Sequence, residues 1–231
     1  MTAPRSWAVE HLAEAPSAFH ARGLPDPVER AVWVCEPDRP GLVLGSAQRQ
    51  AVVDAAACRR AGLEVVRRRS GGGAVLVVPG DLLWLDVLLP ASDPLWERDV
   101  SRAFLWLGDV WSRALADLGV VAEVHRGGLV RSPWSELVCF AGLGAGELTV
   151  RAADGAPAKV VGLSQRRTRA GARFQCAALL RWDPAALIAL LDPGSLPGPE
   201  SSVRPALDGV AAGLALDGRD LLAAVLRHLP E

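Results

Sequence analysis

The chain has 231 residues, half of them apolar, and a formal net charge of −1; that is enough for one domain with its own core, with no basic field for nucleic acid and no acidic tail. Its four cysteines (Cys35, Cys58, Cys139 and Cys176) lie far apart, with no C-x-x-C pair and no histidine at ligand spacing, which argues against a zinc site and against a disulfide framework. No window approaches the roughly 18 apolar residues of a membrane span, and the opening MTAPRSWAVEHL lacks the apolar run of a signal peptide, so a cytoplasmic protein is expected, with neither membrane nor nucleic acid as partner.

In chain order, residues 31–36 and 41–45 read as strands divided by the turn Pro37-Asp38-Arg39-Pro40. A helix is expected over 50–61, then strands at 63–67, 74–78 and 82–89. Asp99 and Ser101 are candidate N-caps for an amphipathic helix over 100–118, closed by Gly119. Short strands are expected near 120–124, 136–140, 147–151 and 159–164, with a longer one at 174–182. Pro184 and Ala185 open a helix to Leu191, the stretch 192–204 reads as a loop, and 218–228 as a closing helix. The expected class is α+β: a single domain over 1–231, with a mixed, largely antiparallel sheet backed by helices.

Two features point to chemistry. Lys159 is the single lysine beside 24 arginines. A compact ammonium and a planar guanidinium are not interchangeable at a crowded site, so a position that keeps lysine is a candidate for needing one. The second feature is Arg67-Arg68-Arg69-Ser70-Gly71-Gly72-Gly73-Ala74-Val75, set between two apolar strands. Successive glycines let backbone approach a ligand closely, and their N–H groups can form a concavity for an anion or a carbonyl oxygen. The pattern is neither a Walker loop nor a Rossmann fingerprint.

VVRRRSGGGAVLVVPGDL resembles the signature of the lipoate–protein ligase A and octanoyltransferase family, which shares the biotin/lipoate ligase catalytic fold. LVLGSAQ (42–48) is similar to that family's early strand and turn, and AKVVGLSQRRTRAGARFQCAALLRWDP (158–184) to its lysine motif. The resemblance implies attachment of a lipoyl or octanoyl group to a lysine of a lipoyl carrier domain. The carriers would be 2-oxoacid dehydrogenase subunits or the glycine cleavage carrier protein. It implies Lys159 at the acyl carbonyl or adenylate phosphate. Arg68, Ser70, Gly71, Gly72, Gly73, Ala74, Val75, Gly162, Ser164 and Gln165 would surround the acyl or adenylate group, with no resident metal ligands. Val75, Leu76, Val77 and the strand at 82–89 are candidates to line the tail slot.

The family contains two chemistries. Ligases use ATP and Mg to form an acyl-adenylate; transferases take octanoate from acyl carrier protein through a cysteine thioester. Cys139-Phe140, followed by Glu147-Leu148 and then Lys159, is similar to the transferase segment. On that resemblance Cys139 is the nucleophile, with Lys159 as the nearby cation; as a bare residue it is equally a small buried hydrophobe. Two departures stand out. Val77 occupies a position where the family usually has histidine, and Cys176-Ala177 one where it often has His-Gly. Cys176 is either core filler or a second thiol. His11, His20 and His228 read as solvated and His125 as a strand-end residue, which leaves a non-catalytic acyl binder, or one subunit of a split ligase, as the alternative. Residues 184–231 suffice for two helices, so no C-terminal accessory domain is expected. Arg166, Arg167 and Arg169 are candidates to dock an acidic carrier.

Overall fold

The computed structural model describes residues 6–231, and its first element is one that hydrophobic patterning does not announce. Strand β1 (Ala8–Glu14) is almost wholly exposed; it pairs in parallel with β2 (Ala31–Pro37) through its backbone. Between them, α1 (Pro16–Ala21) starts on a proline and buries Pro16 and Phe19. Strand β3 (Gly41–Leu44) follows. The helix expected over 50–61 is divided: after a 3-10 turn at Gln50–Val52, the Asp54 carboxylate accepts the N–H groups of Ala56 and Ala57 and starts α2 (Ala55–Arg60) afresh. Strands β4 (Glu64–Arg67), β5 (Val75–Val77) and β6 (Leu82–Pro90) come next.

Asp99 accepts from the N–H groups of Ser101 and Arg102, whereas Ser101 makes no side-chain cap. A 3-10 turn then leads into α3 (Leu105–Asp117). After β7 (Glu123–Val124), the strand expected at 136–140 is absent, and the chain instead makes turns and a 3-10 turn over Cys139–Ala141. Strands β8 (Leu148–Arg151), β9 (Pro157–Arg167) and β10 (Gly171–Leu179) complete the sheets. Helices α4 (Pro184–Ile188), α5 (Glu200–Asp208) and α6 (Gly218–Arg227) close the chain, and α5 begins inside the stretch expected to be a loop.

Seven strands form one sheet in the order β1-β2-β6-β10-β9-β8-β7, in which only β1 and β2 run parallel; a second sheet has the order β4-β3-β5. The class is therefore α+β with a mixed, largely antiparallel sheet, as the sequence pattern implies.

Alternation along β6 and β10 separates two faces. Leu83, Leu85, Val87, Phe174, Cys176 and Ala178 turn towards α3 and α6 and pack with Leu107, Val110, Trp111, Leu221 and Val225. A fully buried side chain of this size contributes about 1.5–3 kcal/mol, so this face holds the helices on. Trp33, Trp84 and Leu88 turn the other way, towards Phe19 of α1 and Val43, Val66 and Val77 of the small sheet. Apart from the buried Arg30–Asp93 pair beneath Trp7, at the edge of the helix side, buried charge gathers on this second face. Arg173 is bonded to Asp86 through Nε at 2.8 Å, and Trp84 Nε1 donates to the other carboxylate oxygen at 3.0 Å. The Arg173 guanidinium also donates to the carbonyls of Phe19 and Arg22, at 2.8 and 2.7 Å, and so fixes the end of α1 over the sheet.

Candidate active site

An apolar slot lies between the two sheets. Val43, Val75, Val77, Leu82, Trp84, Phe140 and Ala177 line it. Leu76, expected among them, points to the opposite side of β5 and packs beneath α4 and α5. The slot meets a larger, more polar cleft of about 810 Å³, walled by Gln48, Gly71, Gly72, Glu147 and Lys159. Cys139, Leu163 and Ser164 border both spaces. Cys139 is half-buried, whereas Cys35, Cys58 and Cys176 are buried.

The glycine loop builds this junction. A Cβ on Gly45 would stand 1.8 Å from the Gly72 carbonyl oxygen, and one on Gly73 would meet the Val138 backbone at 2.5 Å. Gly72 has φ +97°, a conformation that favours glycine. Three backbone segments therefore meet where side chains would hold them apart. Ala74 N–H donates to Leu137 O and Cys139 N–H to Ala74 O, at 2.7 and 3.0 Å. Gln48 locks the same segment: its amide donates to the Glu136 and Leu137 carbonyls, and its oxygen accepts from Gly45 N–H. These bonds occupy the backbone at 136–139 and replace the expected strand there. Ala74 is fully buried, a packing residue within this arrangement. Gly71 and Gly72 face the cleft, and among the described residues their N–H groups donate to no acceptor.

Arg68 is buried and donates to the carbonyls of Gly71 and Gly73 at 2.8 Å each. Its Nη2 also lies 3.5 Å from the Cys139 sulfur. The cation beside the sulfur is thus Arg68. Lys159 bonds to the Cys139 carbonyl instead.

Lys159 is 3% exposed, and all three of its donors are engaged. Nζ lies 2.7 Å from Glu147 Oε2, 2.9 Å from Gly142 O and 3.3 Å from Cys139 O, with the Phe140 ring centroid at 5.1 Å. Glu147, itself buried, also accepts from Gly144 N–H at 2.6 Å and Leu163 N–H at 3.0 Å. The ammonium and carboxylate thus tie both ends of the 139–147 segment to β9.

The lysine faces this way because β9 is irregular. Leu148 pairs with Val161 and Thr149 with Lys159, leaving Val160 as an extra residue. Such a bulge turns the following side chain to the opposite face. Val161 therefore sits in the helix-backed core, while Lys159 Cε lies 3.4 Å from where a Cβ on Gly162 would stand.

The remaining expected residues divide. Ser70 Oγ donates to Ser164 Oγ at 3.2 Å, and Gly162 and Ser164 line the slot. Gln165 does not face it: its amide donates to Val100 O at 2.6 Å and its oxygen accepts from Arg167. Arg167 is likewise turned inward, bonded to the Arg98 and Glu97 carbonyls and stacked on Trp96, so it is unavailable to dock a carrier. Cys176 is packed in the helix-side core, where burial pushes its thiol far up; it is core filler.

His20 overturns its expected solvation. It lines the slot with its ring centroid 4.9 Å from that of Trp84, and burial, then the charges of Arg173 and Arg68, hold it at about 3. Nothing local in the sequence marks it, because Arg173 brings it there from more than 150 residues away in the chain.

A family model for the lipoyl protein ligase A/B catalytic domain matches residues 13–210. No curated protein matches the sequence. Among solved structures, a bipartite lipoate protein ligase from Thermoplasma acidophilum, studied with its E2 lipoyl domain, is similar at a TM-score of 0.72 and 16% identity, over 96% of this chain and 82% of that one. A candidate lipoate protein ligase from the same organism, with bound lipoic acid, gives 0.68 and 18% over 96% and 84%. A lipoate-protein ligase A bound with ATP gives 0.66 and 16% over 97% and 83%.

Proposed function

The chain belongs to the lipoyl protein ligase A/B catalytic-domain family, and we propose that it moves a lipoyl or octanoyl group onto a lysine of a lipoyl carrier domain through a thioester on Cys139. The observation that carries this reading is the position of that sulfur. It is the half-buried thiol where the apolar slot meets the polar cleft, with a guanidinium nitrogen 3.5 Å away. An acyl tail in the slot presents its carbonyl at the sulfur. Negative charge on sulfur falls beside Arg68, and the Gly71 and Gly72 N–H groups are the donors available to a developing oxyanion.

In the first step, the Cys139 sulfur attacks the carbonyl of a donor thioester. The new C–S bond forms as the bond to the donor's sulfur breaks, and the departing thiolate takes up the proton lost by Cys139. The carrier lysine, as free amine, then attacks the acyl-Cys139 carbonyl; an amide forms and the cysteine thiol returns. Lys159 acts as a positioning residue in this scheme. Its bonds to the carbonyls of Cys139 and Gly142 hold the nucleophile's turn, and Glu147 balances its charge.

The size of the polar cleft favours a second reading, in which ATP with Mg activates the acid as an adenylate. The same glycine N–H groups would then meet phosphate. The two separate in one experiment, with purified protein, apo lipoyl domain and either octanoyl carrier protein alone or lipoate plus ATP. The thioester reading expects modified carrier without ATP, an acyl adduct on Cys139 by mass spectrometry, and at least about a thousandfold loss in Cys139→Ser. Product formed only with ATP, or full activity in Cys139→Ser, overturns it.

A further inference from the structure

The slot has an unusual far wall for a cavity that receives a hydrocarbon. Cys139 and Phe140 lie over β9, where Gly162 forms the floor. His20 lies over Trp84 of β6, and β10 stands between β9 and β6. The slot thus crosses two strand spacings, about 10 Å, the reach of an extended eight-carbon acyl chain. Gln175, on β10, lines this path beyond Ser164 and Arg68, and its amide nitrogen lies 3.5 Å from His20 Nδ1. An amide N–H only donates, so Nδ1 accepts and the neutral ring carries its proton on Nε2. Arg173 holds this end of α1 by its bonds to the Phe19 and Arg22 carbonyls, on either side of His20.

We infer that His20 is a specificity-determining residue that makes the slot prefer acyl chains ending in sulfur, a cyclic disulfide or its dithiol, over chains ending in methyl. A sulfur at this depth accepts weakly from the imidazole N–H and packs against the indole ring of Trp84. A methyl terminus at the same depth leaves that donor without a partner, and a missing partner for a polar group is the discrimination that apolar contacts alone do not supply. The inference rests on the slot being the acyl site, but not on whether activation occurs by thioester or adenylate.

Titration calorimetry of the intact protein with lipoate and with octanoate tests it. The expected result is lipoate bound about tenfold more tightly, with the ratio falling to near one in His20→Leu and persisting in His20→Gln, which keeps a donor. A ratio of two affinities is insensitive to the fraction of folded protein, so a structural defect alone does not move it. Equal binding by the wild type, or an unchanged preference in His20→Leu, overturns the role of His20 and leaves the acyl slot intact. Binding of neither acid overturns both.

Discussion

The two faces of the seven-stranded sheet are built on opposite rules. The face under α3 and α6 is mainly apolar, with Leu85, Leu107, Trp111 and Val161 packed by shape and one buried ion pair, Arg30 with Asp93, at its edge beneath Trp7. The face towards the small sheet buries Asp86, Arg173, Arg68, Lys159 and Glu147, and each has a partner at bonding distance. An apolar face tolerates exchange at constant volume, whereas a buried charge tolerates almost no change in its partner. The difference teaches where this molecule is specified: one side sets how firmly it folds, the other what it can hold.

The sharpest challenge to that contrast is Asp86→Asn, which leaves the Arg173 guanidinium buried without its counter-charge. Urea denaturation should register a loss of about 3–5 kcal/mol, and a loss below about 1 kcal/mol would remove the distinction between the faces. Lys159→Arg comes next. The fork of a guanidinium cannot meet Glu147 and two carbonyls within the space bounded by Phe140 and Gly162. Carrier modification should fall on the order of a hundredfold, about 2.7 kcal/mol, and an Arg variant of full activity would show that charge alone suffices.

A smaller effect is expected from pH. Burial and the neighbouring cations hold His20 at about 3 in the fold, against 6.5 for the free ring. The unfolded chain takes up that proton as pH drops through 6.5, and the folded chain does not. Relative to His20→Leu, wild-type stability should therefore be fully present above pH 6.5 and decline as pH falls towards 3, by on the order of 2 kcal/mol. Parallel melting curves for the two proteins across that window would contradict the buried, neutral ring. Least disturbing of all should be Leu85→Met on the apolar face, under about 1.5 kcal/mol with carrier modification unchanged.

Much of the apolar face was legible in the sequence, because apolar runs such as Leu82–Pro90 and the spacing of Leu107, Val110, Trp111 and Ala114 are local signals of burial. Strand β1 was not. It is an exposed edge held by backbone bonds, and such pairing leaves no apolar trace. Glu136–Phe140 looks apolar enough for a strand, but Gln48 and Ala74 take its backbone groups from elsewhere in the chain. Helix α5 was obscured by Pro199 at its start and Pro205 within it. At the site, the glycine loop and Lys159 announced themselves through composition. Arg68 beside Cys139 and His20 beside Trp84 are meetings across 71 and 64 positions, and only the folded chain makes them.

The extra residue at Val160 works as a parity bit. Whether the number of residues between Val161, the partner of Leu148, and Lys159, the partner of Thr149, is odd or even decides which side of the sheet receives the chain's one lysine ammonium. Deleting Val160 would leave composition, motif and charge almost untouched, yet would send that ammonium among Trp111 and Leu148. A lineage can thus preserve every chemically active letter of this site and still lose it through a single change of count.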